Sequence, residues 1–498
     1  MVTKIKAKKN KRNMLSALKQ ATNIGVTENG ALVNATTNSA IVDYFATFGA
    51  MRDSSVEDII STFDAAFCEN PEYAVKLLFY FRDVRGGVGE RNSFRVVLEY
   101  LAENHSKIVK DNLELISEYG RWDDLFCLLN TSLRNDVLML VKKQLLADGS
   151  SDRPSLLAKW MPSINASSVE TRKLALEFVK EFGFASVEYR KILSVLRKKI
   201  DIVETKVTEK NYSAIDYSKI PSKAGLKYKT AFFTHDTDRY KAFIDAVNSG
   251  EKKINAGTLF PYEIIKKCIG YGESREEAAL NAFWKNLPDY GKGNEINAIA
   301  VIDTSGSMTC NDALPISSAI ALGIYFAERN KGPYANHFIS FASRPQLIEI
   351  TGSNIARKAR GILDKSLVDN TNIEAVFNLI LNTAIKNKLS QSEIPERVII
   401  ISDMQFDAQI DGTANTTKLF DSIKAKWVST KYKYPKLVFW NVNATKSTFP
   451  MTIDEAGVQF VSGHSPVIFE SILTDKFLSP MQIVENIVKK ERYAKIKI

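Results

Sequence analysis

The sequence predicts an α plus α/β protein, a long helical part followed by a doubly wound α/β domain. Three observations carry this. Before about residue 290, apolar residues recur at i, i+3, i+4 and i+7, the signature of one buried helix face. After about residue 294, short β-rich runs alternate with helical stretches, which implies a parallel sheet covered on both faces. A chain of 498 residues also exceeds what one ordinary core accommodates, so two or more domains are expected.

Residues 1–20 form a basic arm with Lys4, Lys6, Lys8, Lys9, Lys11, Arg12 and Lys19 and no acid. The helical part is placed at 21–290. Its clearest helices carry Ala74/Leu77/Leu78/Phe81, Phe94/Val97/Leu98/Leu101, Trp122/Leu125/Phe126/Leu129 and Ala175/Phe178/Val179/Phe182. Short breaks, "RGGVGER", "EYGRWDD" and "ADGSSDRP", separate them, so neighbours should pack antiparallel; a solenoid of helix pairs is one such arrangement. No strict period is visible. The second domain is placed at 295–498. Its strands are "INAIAVI", "RVIII" and "KLVFWNV", with helices near 313–329, 372–387 and 415–428.

Hydrophobic content of 45% and charged content of 25% are those of a soluble globular protein. No run reaches the roughly 18 apolar residues of a membrane span; the nearest, 313–327, contains Pro315, Ser317 and Ser318 and reads as a buried helix. The start has no apolar core of a secretory signal, and a cytoplasmic location is expected. Cys68, Cys127, Cys268 and Cys310 are dispersed, form no C-x-x-C pair and offer no zinc site with the four scattered histidines. Reduced thiols are expected.

The chemistry concentrates in "AVIDTSGSM", where an apolar run stops at Asp303 and hydroxyls follow at Ser305 and Ser307. Asp403 ends "VIIIS" in the same way, and "VDNTNIEAVF" sets Thr371 just before a helix. Ligands of such sheets bind outside the carboxyl ends of strands, at a switch point in strand order. Asp303, Ser305, Ser307, Thr371 and Asp403 all offer oxygen, the donor set of Mg²⁺ or another hard divalent cation.

D-T-S-G-S resembles the D-x-S-x-S signature of the von Willebrand factor A domain and its metal-ion-dependent adhesion site, with Thr371 and Asp403 where that family's Thr and second Asp belong. One departure is Asn370-Thr371-Asn372 in place of Gly-Thr-Asp, which removes an acid that supports the loop. "VTENGALVNATTNSAIVDYFATFGAMR" is similar to the opening of the Ro autoantigen (TROVE-domain) family, which joins HEAT-like helices to such a domain. "LLFYFRDVRGGVGER", "AIDYSKIPSKAGLKYKTAFFTHD", "KINAGTLFPYEI" and "GVQFVSGHSP" resemble an uncharacterised family of the same build. The resemblance implies a HEAT-like helical domain that binds single-stranded or structured small RNA, as in a ribonucleoprotein.

Rival chemistries lack their parts. A haloacid-dehalogenase-type phosphatase needs an acid where Ser305 stands, and neither a phosphate loop nor a nucleophile elbow is present. His337 and His464 read as structural. The "RGGVGER" turn offers Arg82, Arg85 and Arg91 as phosphate contacts. A basic stretch from Tyr189 to Lys241 adds Arg190, Lys191, Arg197, Lys198, Lys199, Lys223, Lys227 and Lys229. Tyr212, Tyr217, Tyr228, Phe232 and Phe233 are interleaved there as stacking faces. Net charge is +10. The resemblance, more than composition, makes the expected function non-catalytic RNA binding, with an Mg²⁺-holding adhesion-type domain. The alternative is a metal-dependent protein-interaction adaptor without RNA. No membrane partner is expected, and the sequence sets no oligomeric state.

Overall fold

A computed structural model describes residues 22–269, 274–291, 295–365, 371–408, 417–445, 448–474 and 476–498. The basic arm at 1–20 lies outside the described residues. The described residues open with a small antiparallel hairpin, β1 (Gly25–Val26) and β2 (Leu32–Val33). Helices then dominate to Lys285, and a six-stranded sheet follows: β3 (Ala298–Ile302), β4 (His337–Ser340), β5 (Leu347–Glu349), β6 (Arg397–Ser402), β7 (Lys436–Asn441) and β8 (Val458–Ser462). The architecture is α plus α/β.

The apolar periodicities sit on observed helices. Pro71–Arg82, Asn92–Asn104 and Val169–Phe182 each bury the predicted face. The first and third have local boundary signals. Asn70 accepts the Tyr73 N–H at the start of the first, with Pro71 in its first turn, and Gly183 at φ 72° closes the third. Trp122–Asn130 is a 3₁₀ helix rather than an α-helix. Its tight first turn is pinned by Asp124, whose carboxylate accepts from Arg121 N at 2.8 Å while Arg82 and Arg95 hold it.

The sheet order is β5-β4-β3-β6-β7-β8. All neighbours are parallel except β5, which pairs antiparallel with β4 at the edge, so the sheet is mixed rather than wholly parallel. The chain leaves β3 toward one edge through β4 and β5, then returns to the other side of β3 as β6. The strand order therefore reverses between β3 and β6. Both faces are covered: Ala298, Ala300 and Ile302 join one apolar core, while Ile299 and Val301 join the other with Val376, Phe377 and Phe420.

The helical run Gly306–Arg329 is long and apolar enough to cross a membrane by length and composition, yet 78% of its apolar 18-residue stretch is buried within the protein. It packs against β3, and a Cβ on Gly323 would fall 2.0 Å from Ile302 Cδ1, so the glycine permits the close approach. Asn311, Asp312 and Ala313 hold left-handed conformations at its start.

The two chain ends cross over. Ala40–Thr47 packs against β8, and Asn34 and Phe449 exchange backbone hydrogen bonds at 2.8 Å each way. Pro480–Val488 packs instead against Pro71–Arg82. Beyond it, Arg492 and Tyr493 close over the buried Asp83, with Arg492 Nη2 at 2.7 Å and Tyr493 OH at 3.0 Å.

Candidate functional site

β3 and β6 end side by side at the point of reversal. Ile302 pairs with Ile401, so the residues that follow, Asp303 and Ser402, stand opposite one another, and Asp403 comes next. Ser402 Oγ donates to Asp303 Oδ2 at 2.6 Å and accepts from Met404 N at 3.0 Å. Met404 turns the chain with φ 66°, a conformation that costs a side-chain-bearing residue roughly 1–2 kcal/mol. Asp303 Oδ1 accepts from Ser305 N at 2.9 Å, and Asp403 Oδ1 accepts from Gln405 N at 3.1 Å.

Both carboxyl groups are buried, Asp303 at 0% and Asp403 at 1% exposure. Asp403 Oδ2 is enclosed and makes no hydrogen bond of normal geometry. Burial raises the pKa of Asp303, and the hydrogen bonds from Ser402 and Ser305 offset part of this. Asp403 is pushed up to about 6, by burial first and by the charge of Asp303 second, with the Ser307 hydroxyl acting in the opposite sense. Two like charges thus share an enclosed space with one oxygen unsatisfied, an arrangement that a bound cation reverses in sign.

The structure gathers four of the five sequence-predicted oxygen residues. Ser305 Oγ and Ser307 Oγ lie 3.1 Å apart; Ser305 is buried and Ser307 exposed. Thr371 is buried, and its carbonyl accepts from Asp407 N at 3.1 Å, which ties it to the Asp403 loop through backbone. Asn372 accepts from Ala375 N at 2.9 Å and so caps the helix Ile373–Lys386. Asn370 lies outside the described residues. Among the described residues, no group of three or more His, Cys, Asp or Glu side chains forms a metal cluster. The donors here are carboxylates and hydroxyls, which fit Mg²⁺ with part of its water shell retained. Cys310 lies close by, but burial and Asp403 raise its pKa and keep the thiol protonated.

Sequence reasoning missed the hairpin over this loop. Thr27 Oγ1 donates to Phe406 O at 2.6 Å, Asn29 Nδ2 donates to Gln405 O at 2.7 Å, and Gly30 bridges to Asp407. The alternation in "VTENGALVN" is a signal for a strand pair, but nothing local says what it pairs with.

The cationic candidates divide. Arg82 is corrected first: it is 2% exposed and its guanidinium is held by Asp124 at 2.6 Å. Lys229 is corrected likewise, 5% exposed and 2.5 Å from Glu276. Arg197 spends its guanidinium on Ala158 O, Met161 O and Ser163 Oγ. Lys223 pairs with Glu263 at 3.2 Å, and Arg85 donates to Glu118 O at 2.9 Å. Arg91, Arg190, Lys191, Lys198, Lys199 and Lys227 are exposed. The interleaved aromatics are mostly core: Phe232, Phe233 and Tyr217 are buried, and Tyr212 stacks on His235.

The "RGGVGER" turn docks on "VSGHSP". Ser465 Oγ donates to Gly87 O at 3.0 Å, and a Cβ on Gly463, at φ 109°, would fall 2.4 Å from Val88 Cγ1. His464 is buried beside Ser318 Oγ at 2.8 Å, with its pKa lowered to about 3 by burial and Arg52, so its role is structural.

Residues 297–497 match a domain of unknown function, DUF7788, and residues 27–148 and 176–290 match another, DUF2828. An uncharacterized protein of Acanthamoeba polyphaga mimivirus, L728, is 30% identical over 514 residues, covering 94% of this chain and 87% of that protein. The chain belongs to the same family as this viral protein. The family likeness spans the hairpin, the helices and the sheet together, so both halves of the site belong to the shared region.

Proposed function

We propose that the α/β domain is a von Willebrand factor A-like module that holds one Mg²⁺ or similar hard cation and binds a carboxylate-bearing partner through it. The observation that supports this best is the buried, unpartnered Asp403 Oδ2 beside Asp303 at the reversal of strand order. Asp303, Ser305, Ser307, Thr371 and Asp403 would hold the ion. When bound, the ion supplies an electrophilic centre for an anionic oxygen. The reading is binding rather than catalysis: Ser305 and Ser307 lie against each other, and neither meets a histidine or lysine base in its own motif. Isothermal titration of the full chain with Mg²⁺ and Mn²⁺ tests it. One site in the wild type and none in Asp303→Ala is expected; a wild type that takes up neither ion overturns it.

A second reading, RNA binding of the Ro kind by a HEAT-like helical part, is favoured by one observation. Ser186–Lys199 buries Tyr189, Leu193 and Leu196 and exposes Arg190, Lys191 and Lys198. The two readings use different surfaces and are compatible.

A further inference from the structure

The tip of the N-terminal hairpin is fixed against the Asp403 loop by hydrogen bonds on both sides of one residue. Thr27 and Asn29 spend their side chains on Phe406 O and Gln405 O. Asn29 O accepts from Ala408 N at 3.1 Å. Between them, Glu28 N donates to Gln405 Oε1 at 2.8 Å across 377 residues of sequence, while Gln405 N is bonded to Asp403. The Glu28 side chain is exposed and makes no hydrogen bond or ion pair among the described residues. Lys418, at the base of the hairpin, is spent on Asn34 Oδ1.

An unpaired carboxylate is thus held by its own backbone beside a loop whose buried carboxylate has one oxygen without a hydrogen bond. Glu28 and Asp403 are like charges on two segments joined by the Glu28 N–Gln405 Oε1 hydrogen bond. Without a cation this juxtaposition is unfavourable, yet the hydrogen bonds around Glu28 maintain it. A divalent ion turns the same repulsion into attraction. Mg²⁺ retains several waters, and a carboxylate beyond the direct donors accepts hydrogen bonds from them.

We propose that Glu28 is the outer carboxylate of the metal site, delivered by the N-terminal hairpin to the water shell of a hard divalent cation held by Asp303 and Asp403. The inference rests on the metal-binding reading above. It makes the site a product of both ends of the fold: the hairpin contributes charge, and the sheet contributes direct donors.

The test is calorimetric titration of the full chain with Mn²⁺ and Mg²⁺ in wild type, Glu28→Gln and Glu28→Asp, with melting in EDTA as a second readout. Glu57→Gln, an exposed glutamate on the helix Val56–Glu69, controls for net charge. Glu28→Gln should weaken metal binding roughly tenfold, as loss of an outer-shell partner does. Glu28→Asp should recover part of it, and melting of Glu28→Gln in EDTA should be unchanged or slightly raised, since one of two like charges is removed. Equal affinity in wild type and Glu28→Gln overturns the role of Glu28 while leaving the metal site standing. A matching fall in EDTA melting also overturns it, because hairpin seating would then be the cause. No binding by the wild type removes the metal reading itself.

Discussion

Ser402 Oγ donates a 2.6 Å hydrogen bond to Asp303 Oδ2 across the two strands that flank the reversal of the sheet. The same oxygen accepts from Met404 N, so one hydroxyl fixes the aspartate of one strand end and the turn that follows the other. Ser402 offers no direct donor to the proposed ion and acts by positioning Asp303.

Ser402→Ala should therefore weaken Mg²⁺ binding by roughly 10- to 100-fold without removing a proposed ligand. It should also cost about 1–3 kcal/mol in EDTA, since Asp303 Oδ2 is left short of a donor in a buried place. Calorimetric titration and urea melts measure the two effects. Unchanged affinity would mean that Asp303 is held by its other contacts alone.

Asp403→Asn should stabilise the metal-free protein above pH 6. A folded pKa raised to about 6 from 3.8 means that the folded carboxyl holds its proton more tightly than the unfolded chain does. The resulting penalty is absent below the unfolded value and complete above the folded one, at roughly 3 kcal/mol. Melts in EDTA should place Asp403→Asn above wild type at pH 8 and converge toward pH 4. Saturating Mg²⁺ at pH 8 should reverse the order, since only the wild type gains binding energy. A variant that is less stable than wild type in EDTA at pH 8 contradicts this account.

The sheet ends are legible in the sequence because an apolar run that stops at an acid is a local pattern, and Asp303 and Asp403 both show it. The short strands β4, β5 and β8 are not, being three to five residues long without a strong alternation. Charge alone cannot tell a solvated cation from a buried one. Arg82 finds Asp124 at a separation of 42 residues and Lys229 finds Glu276 at 47, distances over which no spacing rule operates. The hairpin is the extreme case, with a partner 377 residues away. Its two short strands mark a turn in sequence; only the fold shows that the turn belongs to the site.

The split between solvated and buried cations predicts opposite outcomes for the two sets in RNA binding. Charge reversal of Arg190, Lys191 and Lys198 should weaken single-stranded RNA binding and reduce the slope of log K against log salt by about 2, near 0.7 for each phosphate no longer neutralised. Arg82→Ala should leave any RNA affinity of the folded protein unchanged, but destabilise it by about 1–3 kcal/mol, because the buried Asp124 loses one of its two guanidinium partners and keeps Arg95. Filter binding across a salt series and denaturant melts separate these. A wild type that binds no RNA at low salt, or binds duplex DNA equally well, would leave the adaptor reading alone.

The crossed chain ends predict that neither half folds alone as a stable unit. In a fragment of residues 295–498 the sheet loses the hairpin and the helix Ala40–Thr47, which buries Tyr44 and Phe45 and packs against β8. The Asn34–Phe449 backbone pair is broken as well. The helical part, cut before residue 480, exposes Asp83 without Arg492 and Tyr493, and exposes Tyr119 without the ring of Tyr493 that stacks on it at 5.7 Å. Asn112 also loses both hydrogen bonds to the backbone of Lys497, at 2.7 and 2.8 Å. Deleting only residues 489–498 should already cost several kcal/mol, since removing the partner of a buried charge alone costs about 3–5. In the full chain, tryptophan fluorescence and circular dichroism should report one coincident urea transition, because Trp160 lies in the helical half and Trp440 on β7. Two separated transitions, or a soluble 295–498 fragment with a cooperative melt of its own, would show that the halves are independent and that the crossing ends are only draped over them.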